Sequence, residues 1–195
     1  MTIDASSVRE LRDRTSAGFL DCKKALEEAN GDFEKAGEIL RKKGLAKAIK
    51  KGSRGTPEGR VGSYIHTNGK IGVLIEVNCE TDFVAKNDVF ADLIKDLCMQ
   101  VAATDPTAVS RETVPQDIID KERKAYSEEF KDKPDNVREK IIDGKMESFY
   151  KEVCLINQPF VKDNDQTIED LLKKAIAKLG ENIKINRFAR FAIGE

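Results

Sequence analysis

The stretch that decides the fold runs from residue 71 to residue 98 and reads IGVLIEVNCETDFVAKNDVFADLIKDLC. Its first part, residues 71–78, is largely apolar, which predicts a strand in the middle of a sheet. Its last part predicts an amphipathic helix of about sixteen residues, because apolar residues recur every three or four positions. That stripe comprises Val89, Phe90, Leu93, Ile94, Leu97, Cys98 and Val101. A strand joined to a helix in this way indicates a protein that mixes both kinds of element.

A polar turn lies between this strand and helix, and it carries the large apolar residue Phe83. Thr81 or Asp82 is suited to cap the following helix, which accounts for the polar residues. Phe83 is either a hydrophobic staple that packs back on that helix or an anchor that protrudes toward a partner. The residue types leave both interpretations open.

The residues before this stretch predict a strand, a linker and a group of helices. Residues 60–66 predict a second strand, and Asn68-Gly69 predicts a type I′ hairpin turn between the two strands. Residues 50–60, KKGSRGTPEGR, have the composition of a linker. Residues 4–44 predict three short helices with Asp32 as the N-cap of the third and Gly44 just past its end.

The residues after it predict more helices and a last strand. Two helices flank KDKPDN at 131–136 and predict an antiparallel helical hairpin over about residues 115–150. Thr167 and Asp170 fit a capping box for a final helix, and Gly180 fits its C′ position. The last segment, NIKINRFARFAIG, predicts a strand with both faces partly covered.

The expected fold class is therefore α+β, with a boundary between residues 53 and 54. Residues 1–53 form a three-helix module, and residues 54–195 form a core of sheet and helices that includes the helical hairpin. About forty residues is marginal for independent folding, so the three helices need close packing or outside support.

The net charge argues against general attraction to nucleic acid, but one local basic segment leaves RNA binding open. The 34 basic and 35 acidic residues give a net charge of −1, so the chain has no overall field that attracts nucleic acid. Residues 41–60 nevertheless hold eight basic residues and one acid. This segment is either a solvated helix end and linker or a stripe that contacts RNA. The absence of interleaved aromatic residues favours the first interpretation and makes an RNA- or ribosome-binding adaptor the alternative function.

No catalytic or metal-binding pattern is found in the sequence. The four cysteines, Cys22, Cys79, Cys98 and Cys154, form no CxxC pair and no zinc spacing. The single histidine, His66, is separated from Cys79 by the predicted hairpin, so the two do not make a catalytic pair. No secretory signal and no run of membrane-spanning length is expected. These features indicate reduced thiols in a cytoplasmic protein that is not an enzyme and has no cofactor.

Four motifs resemble those of the bacterial elongation factor Ts family. TDFVAKN at 81–87, after IGVLIEVNCE, resembles its signature, and VRELRDRTSAGFLDCKKALEEANGD at 8–32 resembles its opening motif. FYKEVCLINQPFVKD at 149–163 and GENIKINRFARF at 180–191 resemble its closing motifs. The resemblance implies a ubiquitin-associated-like three-helix module followed by a core of antiparallel sheet and helices.

The resemblance also implies a function and its residues. The expected activity is guanine-nucleotide exchange on elongation factor Tu, in its GDP-bound and nucleotide-free states, with neither a membrane nor direct nucleic-acid contact. The turn would press into the partner's GTPase domain and disturb its Mg²⁺ and phosphate site through Thr81, Asp82, Phe83 and Val84. The N-terminal module would contact the same domain through Arg12, Phe19 and Leu20.

The chain departs from the family pattern in two respects. Ser16 stands where the opening motif usually has a glycine, and Phe19-Leu20 stand where it has methionines. The chain also resembles the short form of the family, which lacks a second core subdomain. A homodimer that pairs two half-cores is therefore expected, with one partner molecule bound to each copy.

Overall fold

A computed structural model describes residues 3–15 and 17–194, with the backbone alone at Leu45 and Lys47. The helices are α1 Ala5–Thr15, α2 Phe19–Glu28, α3 Phe33–Lys51, α4 Asp82–Ala85, α5 Asp88–Thr104, α6 Gln116–Glu129, α7 Asp135–Val153 and α8 Ile168–Leu179. The strands are β1 Glu58–Ile65, β2 Ile71–Cys79, β3 Pro159–Phe160, β4 Asp163–Thr167 and β5 Ile183–Ala192. The predicted α+β class is confirmed.

The first three helices bury one shared apolar cluster, because each carries small or aliphatic residues at helical spacing. Its buried members are Val8, Leu11, Cys22, Ala25, Leu26, Ala29, Ala36 and Leu40. Asp32 caps α3 as predicted, since its carboxylate accepts the backbone N–H groups of Glu34 at 3.0 Å and Lys35 at 3.1 Å. These hydrogen bonds, the one from Lys35 first, lower the pKa of Asp32.

Helix α3 is longer than predicted, since it continues through Gly44 to Lys51. A Cβ atom at Gly44 would lie 3.3 Å from the Cβ of Ala177 in α8. The glycine therefore permits close approach of another helix, and the prediction that it ends α3 is wrong. The departure noted at Ser16 concerns a residue outside the described ranges.

Strand β2 lies between β1 and β5 in an antiparallel sheet, so its predicted central position is confirmed. Gly62 of β1 lies close against α5, because a Cβ atom there would be 2.0 Å from the Cγ2 of Ile94. The predicted type I′ turn is wrong. A type I′ turn needs positive φ at both central residues, whereas here His66 and Ile71 flank a four-residue loop in which Gly69 alone has positive φ, at 67°.

Helices α6 and α7 form the predicted helical hairpin around a second buried cluster, which includes Ile142, Met146 and Phe149. Val137, near the start of α7, is exposed. Strands β3 and β4 form a small antiparallel pair that the sequence did not predict. The capping box at the start of α8 is confirmed, and Gly180 ends that helix with φ 80°.

The chain divides into two compact units. The first comprises Met1–Arg60, Asn78–Leu93 and Leu172–Lys184, and the second comprises Val61–Val77, Ile94–Leu171 and Ile185–Glu195. The predicted boundary between residues 53 and 54 stays a prediction. All the residues predicted to bind a partner belong to the first unit. Within the described ranges, no helix is long and apolar enough to cross a membrane.

Candidate functional site

The turn after β2 contains a helical turn of its own, α4, before the long helix α5 begins. Thr81 occupies the N-cap position of α4 with extended backbone angles, but its side chain makes no capping hydrogen bond. Asn87 caps α5 instead, since its Oδ1 accepts the Val89 N–H at 2.8 Å. The prediction that Thr81 or Asp82 caps the long helix is therefore wrong, because α4 separates them from it.

Phe83 projects from α4 into solvent with 82% of its surface exposed. A staple packed on the following helix would be buried, so the structure excludes that interpretation and leaves the protruding one. The next residue, Val84, is buried and fixes the inner side of the same helical turn. An exposed aromatic ring on a fixed turn is suited to be an anchor for another protein.

Asp82 stands beside the ring and has a partner within the chain. The Lys86 ammonium group donates a hydrogen bond to its Oδ2 at 2.7 Å. This bond lowers the pKa of Asp82 and raises the pKa of Lys86, so both side chains are charged at neutral pH. Both also line a shallow depression of about 440 Å³ with a mixed charged lining, formed by Glu58, Gly59, Arg60, Asp82, Ala85 and Lys86.

The backbone that leads into α4 is held by Glu181, a residue that the sequence analysis did not single out. One carboxylate oxygen of Glu181 accepts the Thr81 hydroxyl at 2.6 Å. The other accepts the backbone N–H groups of Thr81 at 3.0 Å and Glu80 at 3.1 Å. The Thr81 hydroxyl is thus engaged within the chain, and its hydrogen bond holds the turn in place.

A second carboxylate, that of Glu80, binds the segment that contains Glu181 in return. Glu80 accepts the backbone N–H of Asn182 at 2.6 Å, and the buried Asn182 amide donates to the carbonyl groups of Gly52 at 3.3 Å and Arg54 at 2.8 Å. We call Glu80, Thr81, Glu181 and Asn182 the carboxylate clamp. It ties the Phe83 turn to the connection between α8 and β5 and to the linker before β1.

Cys79, at the end of β2, is a buried thiol beside the clamp. Its Sγ donates to the Thr81 carbonyl at 3.1 Å. Burial is the main cause that raises the pKa of Cys79, so the group stays protonated and unreactive at neutral pH. The described part of the chain contains no cluster of three or more His, Cys, Asp or Glu side chains that could hold a metal ion.

The predicted N-terminal residues are on the surface of the three-helix module. Phe19 and Leu20 form the first turn of α2 and are 41% and 69% exposed, and Arg12 is exposed on α1. Phe19 has the helical spacing of Cys22 and Leu26, which are fully buried, but it remains partly exposed. Ala17, which precedes α2, packs against the buried cluster. The pair Phe19-Leu20 is therefore a second exposed apolar feature of the first unit.

Several charges of the basic segment 41–60 are engaged within the chain. Lys43 pairs with Glu28 at 2.6 Å, Arg54 lies 3.5 Å from Glu80, and Lys51 donates to the Gly180 carbonyl. These contacts favour the interpretation of the segment as a helix end and linker over a stripe that contacts RNA.

Comparison with known proteins places these features in a family. The family model described as Elongation factor TS matches residues 35–195. Elongation factor Ts of Fervidobacterium nodosum is 59% identical over 197 residues that cover 100% of both chains. The proteins of the same name from Thermosipho melanesiensis and Carboxydothermus hydrogenoformans are each 57% identical over 195 residues, with 99% of this chain and 100% and 90% of theirs covered. The chain belongs to the elongation factor Ts family and is a translation elongation factor.

Proposed function

We propose that this protein is a guanine-nucleotide exchange factor for elongation factor Tu and works without catalysing a chemical reaction of its own. The observation that carries the proposal is the 82% exposed ring of Phe83, held beside the charged Asp82 on a turn that the carboxylate clamp fixes. Membership of a family of translation elongation factors supports it. The proposed place of action is the cytoplasm, where translation elongation takes place.

The proposed mechanism is mechanical displacement of the partner's nucleotide contacts. A GTPase holds GDP through Mg²⁺, backbone amides of its phosphate loop and the N-terminus of a helix. Mg²⁺ requires near-ideal octahedral geometry, so a small shift of its ligands weakens binding strongly. A rigid aromatic ring that enters between side chains near this site can cause such a shift, and Asp82 adds a carboxylate next to it.

Two further consequences follow from thermodynamic linkage. The exchange factor weakens GDP binding by the same factor by which GDP weakens binding of the exchange factor. The protein therefore binds GDP-loaded elongation factor Tu weakly and the nucleotide-free form tightly. Entry of a new nucleotide then releases the factor and completes the cycle.

The other predicted residues are assigned supporting roles. Thr81 holds the turn through its hydroxyl group, and Val84 anchors its buried side. Arg12, Phe19 and Leu20 form a second contact with the same GTPase domain. Their exposure on the three-helix module is consistent with binding, and Arg is enriched among the residues that dominate interfaces.

We also propose that two copies of the chain pair through the outer face of the sheet. Gly72 and Leu74 of β2 share one face of the sheet, because residues two positions apart in a strand point the same way. Ile65 of β1 lies on the same face, since a Cβ atom at Gly72 would be 3.1 Å from its side chain. Ile65 and Leu74 are exposed, as are Val61 of β1 and Phe191 of β5. Exposed apolar patches of this kind mark interaction sites. Light scattering should give twice the monomer mass at micromolar concentration and the monomer mass for Leu74→Asp. A monomeric wild type would contradict the dimer.

The exchange proposal is tested by the release of fluorescent GDP from purified elongation factor Tu. The wild type should accelerate release strongly and Phe83→Ala only weakly, while Ile49→Ala, which removes another exposed apolar side chain from the first unit, should match the wild type. Equal acceleration by the wild type and Phe83→Ala would remove the wedge but keep the exchange function. No acceleration by a folded wild type would overturn the function.

A further inference from the structure

The carboxylate clamp gives Glu181 a role beyond holding the fold together. We propose that Glu181 is a positioning residue for nucleotide exchange, and the proposal rests on the exchange function proposed above. Its carboxylate fixes the backbone that enters α4, so that the Phe83 ring is presented to the partner in one orientation. Glu181 itself need not contact the partner.

The need for such a residue follows from the length of α4. The helix has four residues, with backbone hydrogen bonds from Ala85 to Thr81 at 3.2 Å and from Lys86 to Asp82 at 3.1 Å. A helix this short is unstable alone, because nucleation costs more than so few hydrogen bonds return. Its orientation is therefore determined by groups outside it.

Glu181 is placed to do this at the entry of α4, as the buried Val84 is on its inner side. Its two oxygens accept three donors from two consecutive residues, Glu80 and Thr81, which come about 100 positions earlier in the chain. Thr81 is also the N-cap residue of α4, and its side chain does not cap the helix. Hydrogen bonds to a carboxylate are shorter and stronger than those between neutral groups. The carboxylate thus holds α4 at its first turn, next to Phe83.

The clamp is reciprocal, which limits the ways in which the turn can move. While Glu181 accepts the N–H groups before α4, Glu80 accepts the N–H of Asn182, the residue that follows Glu181. Moving either segment therefore breaks bonds to both carboxylates. The buried Asn182 amide adds two bonds to the linker carbonyls of Gly52 and Arg54. The Phe83 ring therefore keeps its position when it contacts the partner, so that the partner's side chains move instead.

The test compares Glu181→Ala with Glu181→Gln, and Glu139→Ala on the exposed surface of α7 is the control. Glutamine keeps one carbonyl oxygen that accepts the backbone N–H groups, and its amide donates to the Thr81 hydroxyl. Hydrogen exchange at the amides of Glu80 and Thr81 should speed up about tenfold in Glu181→Ala and less in Glu181→Gln. The maximal rate of fluorescent GDP release should fall about tenfold and about threefold respectively.

A double variant separates positioning from general stability. If Glu181 acts through Phe83, Glu181→Ala should slow GDP release strongly when Phe83 is present. The same substitution should slow release little further in a protein that already carries Phe83→Ala. An equal reduction in both backgrounds, or unchanged release in Glu181→Ala with fast amide exchange, would overturn the proposal. Slow amide exchange in Glu181→Ala would also overturn it. If the wild type fails to accelerate release, the exchange function falls and this role falls with it, while the amide data still show whether Glu181 orders the turn.

Discussion

The Phe83 turn and the Phe19-Leu20 pair are both exposed and apolar, but they are built differently. Phe83 is carried by a four-residue helix whose entry is fixed by Glu181. Phe19 and Leu20 begin a ten-residue helix whose N-cap, Gly18, makes no side-chain hydrogen bond. That helix is held by the burial of Cys22, Ala25 and Leu26 further along it.

The difference teaches what each site is suited to do. A group that displaces another protein's atoms must sit on a backbone that does not yield. A group that only adds binding area needs exposure and apolar surface, and some freedom costs little. We therefore expect Phe83 to determine the maximal rate of GDP release and Leu20 to determine how much factor is needed for half of that rate.

The largest expected effect is that of Phe83→Ala on the maximal release rate. The rate should fall about 100-fold, because a central aromatic anchor contributes most of the useful binding energy. The melting temperature should change by no more than about 2 °C, since the removed ring is exposed. Saturation kinetics and thermal melting measure the two quantities. Phe83→Leu should give an intermediate maximal rate. If Phe83→Ala changed the half-saturating concentration alone, the proposed difference between Phe83 and Leu20 would be wrong.

Leu20→Ala should give the next largest effect and a different kind of effect. The half-saturating concentration should rise about tenfold, as expected for losing an apolar anchor, while the maximal rate stays within about twofold. Leu20→Met should behave like the wild type, because methionine fills a similar volume with an apolar side chain. A fall in the maximal rate with unchanged affinity would show that both sites act on the nucleotide.

Asp32→Ala should loosen the three-helix module that carries Leu20 and leave the carboxylate clamp that holds the Phe83 turn intact. Loss of the N-cap should lower the melting temperature by a few degrees and raise the half-saturating concentration about threefold. Asp32→Asn should restore both, because asparagine also accepts N-cap hydrogen bonds. Faster hydrogen exchange at the amides of Glu34 and Lys35, with no change at Thr81, is the direct check. Equally faster exchange at the Thr81 amide would mean that the three-helix module and the carboxylate clamp are not independent.

The smallest expected effect is that of Lys86→Ala. An exposed pair at this spacing contributes little, so release should change less than about twofold. The hydrogen bond from Lys86 lowers the pKa of Asp82 below its usual value of 3.8, so its contribution to stability is present above that pH and is lost as the pH falls through the lowered pKa. Melting curves of wild type and Lys86→Ala should therefore converge in acid. A difference that grew in acid would contradict this assignment.

The parts of the fold that the sequence predicted depend on signals carried by a few adjacent residues. The apolar run of β2, the stripe of α5, the cap at Asp32 and the helix end at Gly180 are of this kind. Each is decided within one or two turns of backbone, by burial pattern, capping or positive φ.

The parts it did not predict depend on residues that are distant in the chain. Gly44 lies inside α3, where the missing side chain lets Ala177 of α8 approach closely. Whether Phe83 is a staple or an anchor depends on what surrounds the turn. Glu181 was missed because an acid after Gly180 carries no local sign that its partners are at positions 80 and 81.

The most direct test of the central claim is to find what the Phe83 ring touches. We would replace Phe83 with the photoreactive p-benzoylphenylalanine, add GDP-bound and nucleotide-free elongation factor Tu, irradiate, and map the crosslinks by mass spectrometry, with the same probe at Ile49 as control. The account predicts crosslinks from position 83, and not from position 49, to the GTPase domain next to the nucleotide site, with more product in the nucleotide-free state. Crosslinks only to a second copy of this chain, or none to elongation factor Tu, would contradict it.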